Sequence, residues 1–307
     1  MRQNRKDIEH TPERGMLLML GACFMLPAMD ALAKLLSLEL AVGQVAFLRF
    51  ACQAFLLLLP ALMLNAGWRE FRNLHRRAVR KLSVAGMFAA AAILCLYWGQ
   101  ANMPLANAIA IFFAEPLLLT LISALVLKES VGLRRYIAVM VGLGGALLVI
   151  RPNWVMFGPV AVLPLLAALF YAAHLATIRS ITASLSGLVV QVFSSGVACV
   201  FLGFLVWGGD LYAMELFNWK MPSSHAVWLL LGMGVMAAAS HLMITLAFKY
   251  TRASILAPFQ YLEIFSATIL GYYLFGDFPD LLTWAGTAVI LGAGCYVFYT
   301  ERRLSRG

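Results

Sequence analysis

The chain has 307 residues, of which 63% are hydrophobic and 12% are charged, and its formal net charge is +9. This composition excludes a soluble globular domain, in which about 25% of the residues are charged. Apolar runs of 18 or more residues recur along the chain and indicate an integral membrane protein with many helical spans. The basic residues lie in short segments between these runs, so no nucleic-acid partner is expected.

Ten apolar spans are predicted, at residues 16–36, 43–65, 82–101, 104–127, 134–150, 157–178, 187–207, 226–248, 252–274 and 281–300. We interpret the first span as part of the mature chain rather than as a cleavable signal. The five cysteines lie within apolar runs and form no CxxC pair, so neither disulfides nor a metal site are predicted. The predicted fold class is an all-α membrane protein that needs no cofactor.

Lysine and arginine residues are unequally divided between the two faces of this bundle. When successive loops alternate between the faces, 19 of the 23 basic residues fall on one face and two on the other, with Lys34 and Arg49 inside spans. Basic loops mark the cytoplasmic side of a membrane protein. Both termini are therefore predicted to be cytoplasmic.

The fourth and ninth spans share a pattern of acidic residues. A shift of 148 positions superposes Glu115 on Glu263 and Glu129 on Asp277. Because five spans precede the second half, the two halves are predicted to cross the membrane in opposite directions. At about 1.5 Å per residue, both Glu115 and Glu263 lie near the midplane. Two inverted five-helix repeats around a central cavity are the arrangement expected of an alternating-access transporter.

Residues 113–129, FAEPLLLTLISALVLKE, and residues 271–286, GYYLFGDFPDLLTWAG, carry a family resemblance. With the halves that contain them, 16–150 (helices 1–5) and 157–301 (helices 6–10), they resemble the EamA domains of the drug/metabolite transporter superfamily. The usual Gly-Glu pair after helices 4 and 9 appears as Lys128-Glu129 and Gly276-Asp277. The resemblance implies ten helices, a multi-pass protein of the cell inner membrane, and transport of small organic solutes in either direction.

Ionisable residues within spans are candidate functional groups, because each costs about 2.5–3.5 kcal/mol at a helix centre. Glu115 and Glu263 are predicted to couple transport to protons; the alternative is protonated carboxyl groups hydrogen-bonded between helices. Asp30 and Arg49 lie at similar depth on adjacent helices. They form either a structural ion pair or a site in which Asp30 binds a proton and Arg49 binds an anion. Lys34 is expected to extend to the lipid headgroups.

Amide and aromatic residues of spans 3, 4, 6 and 9 predict a site for a flat, polar solute. The aromatic rings would stack on the solute, and the amide groups would orient it. Together with Arg49, the predicted solute-binding residues are Tyr97, Gln100, Asn107, Tyr171, Gln260 and Tyr261, and Trp98 and Asn102 belong to the same group. Aromatic belts at the membrane interface are the alternative for the outer rings. His174 and His241 are interpreted as packed hydrogen-bonding residues.

Small residues and prolines make further predictions about the spans. Spans 5 and 10 are predicted to pack closely, as scaffold or as a homodimer surface, through Ala138, Gly142, Ala146, Ala288 and Gly292. Pro116 and Pro258 predict kinks beside the two midplane glutamates. Glu129 and Asp277 are expected at the interface; the alternatives are that they close a gate in each half or cap a neighbouring helix.

The predicted function is secondary transport of a small organic metabolite. Riboflavin uptake is the substrate hypothesis, because the spans look similar to the vitamin and cofactor-metabolite branch of the superfamily. S-adenosylmethionine uptake and amino-acid or drug efflux are alternatives on the same fold. A lipid-modifying enzyme or a non-transporting membrane sensor is the alternative from another class, but HExxH, GxSxG and Walker motifs do not occur. The expected partners are a small-molecule solute and membrane lipid.

Overall fold

The structure is a computed structural model that describes residues 12–63, 70–125, 133–179, 185–250, 256 and 259–304. Its main elements are helices α1 (Pro12–Leu36), α2 (Val42–Met63), α3 (Arg76–Asn102), α4a (Leu105–Phe112), α4b (Glu115–Leu125), α5 (Leu133–Phe157), α6 (Leu163–Arg179), α7 (Gly187–Leu211), α8 (Ser224–Tyr250), α9 (Leu262–Phe275) and α10 (Leu281–Leu304). A short 3-10 helix at Gly158–Val162 joins α5 to α6.

Most of these helices are long and apolar enough to cross a membrane. Among the described residues, seven apolar stretches meet both conditions, with α4a and α4b counted together as Leu105–Ala124. Three further apolar stretches are shorter: Tyr136–Arg151 of α5, Leu262–Phe275, which is α9, and Leu281–Val297 of α10. At about 1.5 Å per residue, the 14 residues of α9 extend only about 21 Å. The protein is therefore an all-helical, multi-pass membrane protein.

The fourth span is interrupted in its middle. Helix α4a ends at Phe112, residues Phe113 and Ala114 form a turn, and α4b begins at Glu115. Proline lacks a backbone N–H, and inside a helix its ring would clash with the carbonyl group four residues earlier. Pro116 instead lies in the first turn of α4b, where proline is tolerated. The interruption therefore places Glu115 at a helix N-terminus; Pro258 and Glu129 lie outside the described residues.

Two apolar clusters hold the helices together. The first core joins α4a, α4b, α5, α9 and α10 with Ala31 of α1, and its buried residues include Leu105, Leu117, Val149, Ile264 and Ile290. The second core joins α1, α2, α3, α7 and α8, and its buried residues include Leu36, Val45, Ile93, Leu202 and Met233. Helix α6 packs mainly against α3 and α4b.

Helices α5 and α10 approach closely, as the small residues of span 5 predicted. A Cβ atom on Gly286 would lie 2.6 Å from the carbonyl oxygen of Gly145. Ala138, Gly142 and Ala146 are buried on α5, whereas Ala288 and Gly292 of α10 are exposed. The prediction for span 10 was therefore wrong for this contact, because its face toward α5 contains Gly286 and Ala293 instead.

Replacing Gly286 with alanine is expected to destabilise the protein, because overpacking a close contact costs about 1–3 kcal/mol. The measurement is the midpoint of thermal unfolding of the purified protein in detergent, followed by circular dichroism. Gly144→Ala is the matched control on α5, since a Cβ atom there meets no other atom within 4 Å. Equal midpoints for the two variants would contradict the close approach.

Candidate functional site

Polar side chains from six helices converge in the interior of the bundle. They come from α1, α2, α3, α4b, α6 and α9, and therefore from elements of both cores. We call this group the central cluster. Its members are Asp30, Arg49, Gln53, Tyr97, Gln100, Glu115, Tyr171 and Glu263.

The charged members of the central cluster act on one another across the bundle. Glu263 interacts electrostatically with Asp30 and with Glu115. Tyr171 interacts with both glutamates and with Arg49. Groups from the first, second, fourth, sixth and ninth spans therefore share one region.

Several buried atoms of the central cluster have no hydrogen-bond partner among the described residues. Since a buried polar group left unpaired costs about 1–3 kcal/mol, such groups are usually paired. The atoms without a partner of good hydrogen-bond geometry are Asp30 Oδ1, Arg49 Nε and Nη1, Gln53 Oε1, Tyr97 Oη, Gln100 Nε2 and Oε1, and Glu115 Oε1. The Gln100 amide nevertheless lies close enough to Asp30 to interact with its carboxyl group. Donors and acceptors are both present, so the group can bind a solute that carries carbonyl groups together with N–H or O–H groups.

Three members of the central cluster are only half-buried, namely Glu115, Tyr171 and Glu263, and they interact electrostatically with one another. Aromatic rings lie beside them: Tyr171 packs against Phe112, with the ring centroids 5.6 Å apart, and stacks on His174. This part of the cluster therefore combines aromatic rings with hydrogen-bonding groups.

Arg49 and Asp30 are neighbours without a direct ion pair. Arg49 is 3% exposed, and it interacts electrostatically with Asp30. Among the described residues an ion pair joins Lys34 to Asp277, but none joins Arg49 to Asp30. The arrangement favours the solute-site alternative over the structural ion pair, because donors of a buried guanidinium group are left open.

Gln53 is a member of the cluster that the sequence reasoning missed. It is 2% exposed and lies on α2 four residues after Arg49. Residues four apart lie on the same face of a helix. The spacing Arg49-x-x-x-Gln53 is therefore a usable signal, but the predicted amide residues came from spans 3, 4 and 9, and the amide of the second span was left out.

Three predicted solute-binding residues have other contacts and are not counted in the central cluster, although Asn107 Oδ1 is also buried without a partner among the described residues and Tyr261 interacts electrostatically with Glu115. Asn107 Nδ2 donates to Asn153 Oδ1 at 3.0 Å, so this amide joins α4a to α5. The Tyr261 hydroxyl lies against Gly294 of α10, and its ring packs on Phe113. Gln260 is half-buried next to this tyrosine.

Both histidines of the spans donate to backbone carbonyl groups. His174 Nδ1 donates to the carbonyl of Ala85 at 2.8 Å, and His241 Nδ1 donates to the carbonyl of Ala237 at 2.8 Å, as packed histidines do. Trp98 and Asn102 are exposed, so they lie outside the cluster. In the described part of the chain, no three histidine, cysteine, aspartate or glutamate side chains are grouped to hold a metal ion.

Lys34 does not extend to the headgroups as predicted. Its Nζ donates to Asp277 Oδ2 and to the carbonyl oxygen of Met103, both at 2.9 Å. The side chain is 12% exposed. The prediction was wrong because an acidic residue 243 positions later in the sequence lies within reach and satisfies the ammonium group inside the bundle.

Comparisons with known proteins identify the family of the chain. The sequence profile of the EamA-like transporter family matches residues 13–151 and 158–300. The chain is 28% identical to a riboflavin transporter of Vibrio cholerae over 98% of both chains. It is 30% identical to a pseudopaline exporter of Pseudomonas aeruginosa, over 91% of this chain and 94% of the exporter. It is 26% identical to an S-adenosylmethionine uptake transporter of Rickettsia prowazekii, over 89% of this chain and 88% of the relative.

A protein of known crystal structure has a similar fold. The TM-score is 0.62 at 16% sequence identity, over 95% of this chain and 99% of the other. The profile matches nearly the whole chain, and the full-length relatives are named transporters or exporters. The chain is therefore a member of the EamA-like transporter family.

Proposed function

We propose that this protein is a secondary transporter that moves a small organic metabolite across the inner membrane by alternating access, and that it is not an enzyme. The central cluster is the proposed solute site. The observation that carries the proposal is the set of buried donors and acceptors that lack partners among the described residues. Leaving such groups unpaired lowers the stability of the fold. In the proposed transport cycle, the bound solute supplies the missing hydrogen bonds.

The proposed architecture is two inverted repeats of five spans. Under the pairing of spans 1–5 with spans 6–10, the contact of α1 with α8 is equivalent to that of α6 with α3, and both contacts are extensive. Helix α2 packs against α7, and α5 against α10, as self-equivalent pairs. An inverted repeat places one solute site at the centre, within reach of both faces in turn.

Two matched hydrogen-bonded contacts also support the repeat. Glu39, after α1, accepts hydrogen bonds from the N–H and hydroxyl of Ser223, before α8. Glu70, before α3, accepts hydrogen bonds from the N–H and hydroxyl of Ser186, before α7. We call these contacts the loop clasps. In the proposed topology the first lies at the outer face and the second at the cytoplasmic face, with both termini cytoplasmic.

The proposed solute is riboflavin, which the protein takes up. Riboflavin is uncharged and planar, and it carries carbonyl, N–H and hydroxyl groups. Arg49 and Gln100 offer donors for its carbonyl groups, and Gln53 offers an acceptor. The relative named a riboflavin transporter covers the whole length of this chain. S-adenosylmethionine uptake is the second candidate, because the carboxyl groups of Asp30, Glu115 and Glu263 suit a cationic solute; amino-acid or drug efflux has no specific observation in its favour.

Proton coupling is assigned to Glu115, Glu263 and Asp30. These carboxyl groups come from three spans and interact electrostatically, so protonation of one changes the field at the others. A homodimer through α5 and α10 stays a prediction; the exposed face of Ala288 and Gly292 is its candidate surface.

Expression of the protein is expected to let a riboflavin-auxotrophic bacterium grow on a low external concentration of the vitamin. Arg49→Ala should weaken uptake of labelled riboflavin about ten- to hundredfold, because hydrogen bonds to charged groups contribute about 1.5–3 kcal/mol. Asn102→Ala is the control, since Asn102 is exposed and its amide donates within its own helix to the carbonyl of Trp98. If the intact protein does not support growth, riboflavin is the wrong solute.

Replacing Glu115 with glutamine is expected to reduce uptake driven by an inward proton gradient about tenfold or more, because the amide keeps the shape but binds no proton. The measurement is labelled riboflavin entering proteoliposomes with and without the gradient. Glu215→Gln changes an exposed loop carboxylate and is the matched control. Uptake that keeps its rate and its response to the gradient in Glu115→Gln would remove Glu115 from the coupling mechanism.

A further inference from the structure

We propose that Lys34 and Asp277 form the outer gate of the transporter. Lys34 Nζ donates to Asp277 Oδ2 and to the carbonyl oxygen of Met103, both at 2.9 Å. It also lies 4.6 Å from the centroid of the Phe275 ring. One ammonium group therefore ties the end of α1 to the residue after α3 and to the residues around the end of α9.

The gate lies directly beyond the central cluster. Lys34 follows Asp30 by four residues on α1, so it occupies the same helix face about 6 Å nearer the outer end. Met103 follows Gln100 by three residues, at the end of α3. Helices α1 and α3, which carry Asp30 and Gln100 of the central cluster, thus lead directly to Lys34 and Met103. In the proposed topology, this contact lies between the cluster and the outer face.

The ion pair connects α1 to the end of α9. Lys34 belongs to α1, which contributes Ala33 and Leu36 to the second core and Ala31 to the first. Asp277 follows α9, whose buried residue Ile264 lies in the first core. A movement of the end of α9 relative to α1 would therefore separate the two charges.

The outer loop clasp, by contrast, lies within the second core. It joins Glu39, between α1 and α2, to Ser223, before α8, and all three helices contribute to the second core. The same motion would leave this clasp intact. The two contacts therefore have different expected roles: the clasp holds the outer ends of α1, α2 and α8 together, and the ion pair joins α1 to the end of α9.

The backbone fixes the direction of the Asp277 carboxylate. Gly276 ends α9 with φ of +71°, and the N–H of Asp277 donates to the carbonyl of Gly271 at 3.1 Å. A left-handed conformation is unfavourable for residues with a Cβ atom. The side chains of Lys34 and Asp277 are 12% and 28% exposed, so water can replace each partner when the pair opens. The ordered backbone around Asp277 and the partial exposure of both side chains suit an ion pair that forms and breaks in each transport cycle.

The gate rests on the proposed alternating access and is independent of the solute. Its test measures how fast an impermeant methanethiosulfonate reagent, added outside right-side-out vesicles, labels a cysteine introduced by Gln100→Cys. Peptide mass spectrometry separates this site from the native cysteines. In the full-length protein with both gate residues, labelling should be slow, because Gln100 is fully buried.

Asp277→Asn is expected to speed labelling of Gln100→Cys about tenfold, since the lost interaction involves a charged group and the population shifts toward the open state. Lys34→Asp combined with Asp277→Lys should restore slow labelling. Glu39→Gln, which weakens the outer clasp, is the matched control and should label at the parent rate. A disulfide formed between Lys34→Cys and Asp277→Cys should block labelling until it is reduced.

Labelling of Asp277→Asn at the parent rate, or no restoration in the charge-swapped protein, would overturn the gate. If Asp277→Asn does not fold, the reducible disulfide decides: unchanged labelling of the oxidised protein overturns the gate, and blocked labelling supports it. Because Gln100 belongs to the proposed solute site, riboflavin uptake is measured in the protein that keeps Gln100. Gate-dependent labelling of Gln100→Cys together with no riboflavin uptake by the protein that keeps Gln100 would support the gate and overturn only the proposed solute.

Discussion

A guanidinium group does not lose its proton in a protein, so Arg49 stays charged although it is buried. The rest of the site depends on how this buried positive charge is stabilised. An arginine at the centre of a membrane helix costs about 2.5–3.5 kcal/mol. Asp30 offsets part of this cost electrostatically, and the Phe50 ring, 4.7 Å away, adds a cation–π contact. Nε and Nη1 still have no partner among the described residues. The charge is thus stabilised enough to stay buried and remains open enough to bind a solute.

The backbone is continuous in the scaffold helices and is interrupted beside the site. Helices α5 and α10 stay continuous and approach through Gly145 and Gly286, which gives a close, apolar contact. The fourth span is interrupted so that Glu115 begins a new helix, and Glu263 lies in the first turn of α9. The N-terminus of a helix presents unpaired N–H groups and favours negative charge. The positions of Glu115 and Glu263 in the first turns of their helices therefore make an ionised carboxylate less unfavourable within the bundle.

The sequence predicted features that depend on local pattern and missed those that depend on distant partners. Hydropathy was sufficient for the all-helical membrane class, and Pro116 marked the place where the fourth span is interrupted. The direction of the Lys34 side chain depends on Asp277, 243 positions away, so no local rule could supply it. The contact of Asn107 Nδ2 with Asn153 on α5 could not be predicted for the same reason, and a solute-binding role of Asn107 stays a prediction.

In the proposed mechanism, the charge balance of the central cluster links solute binding to proton binding. Arg49 supplies one fixed positive charge, whereas Asp30, Glu115 and Glu263 are three carboxyl groups that can each gain or lose a proton. Since desolvation penalises net charge, one ionised carboxylate would balance the charge of the arginine. A neutral solute leaves that balance unchanged, and a cationic one favours the loss of another proton. The protonation state of the carboxyl groups would therefore distinguish these two classes of solute, even where both fit between the same rings and amides.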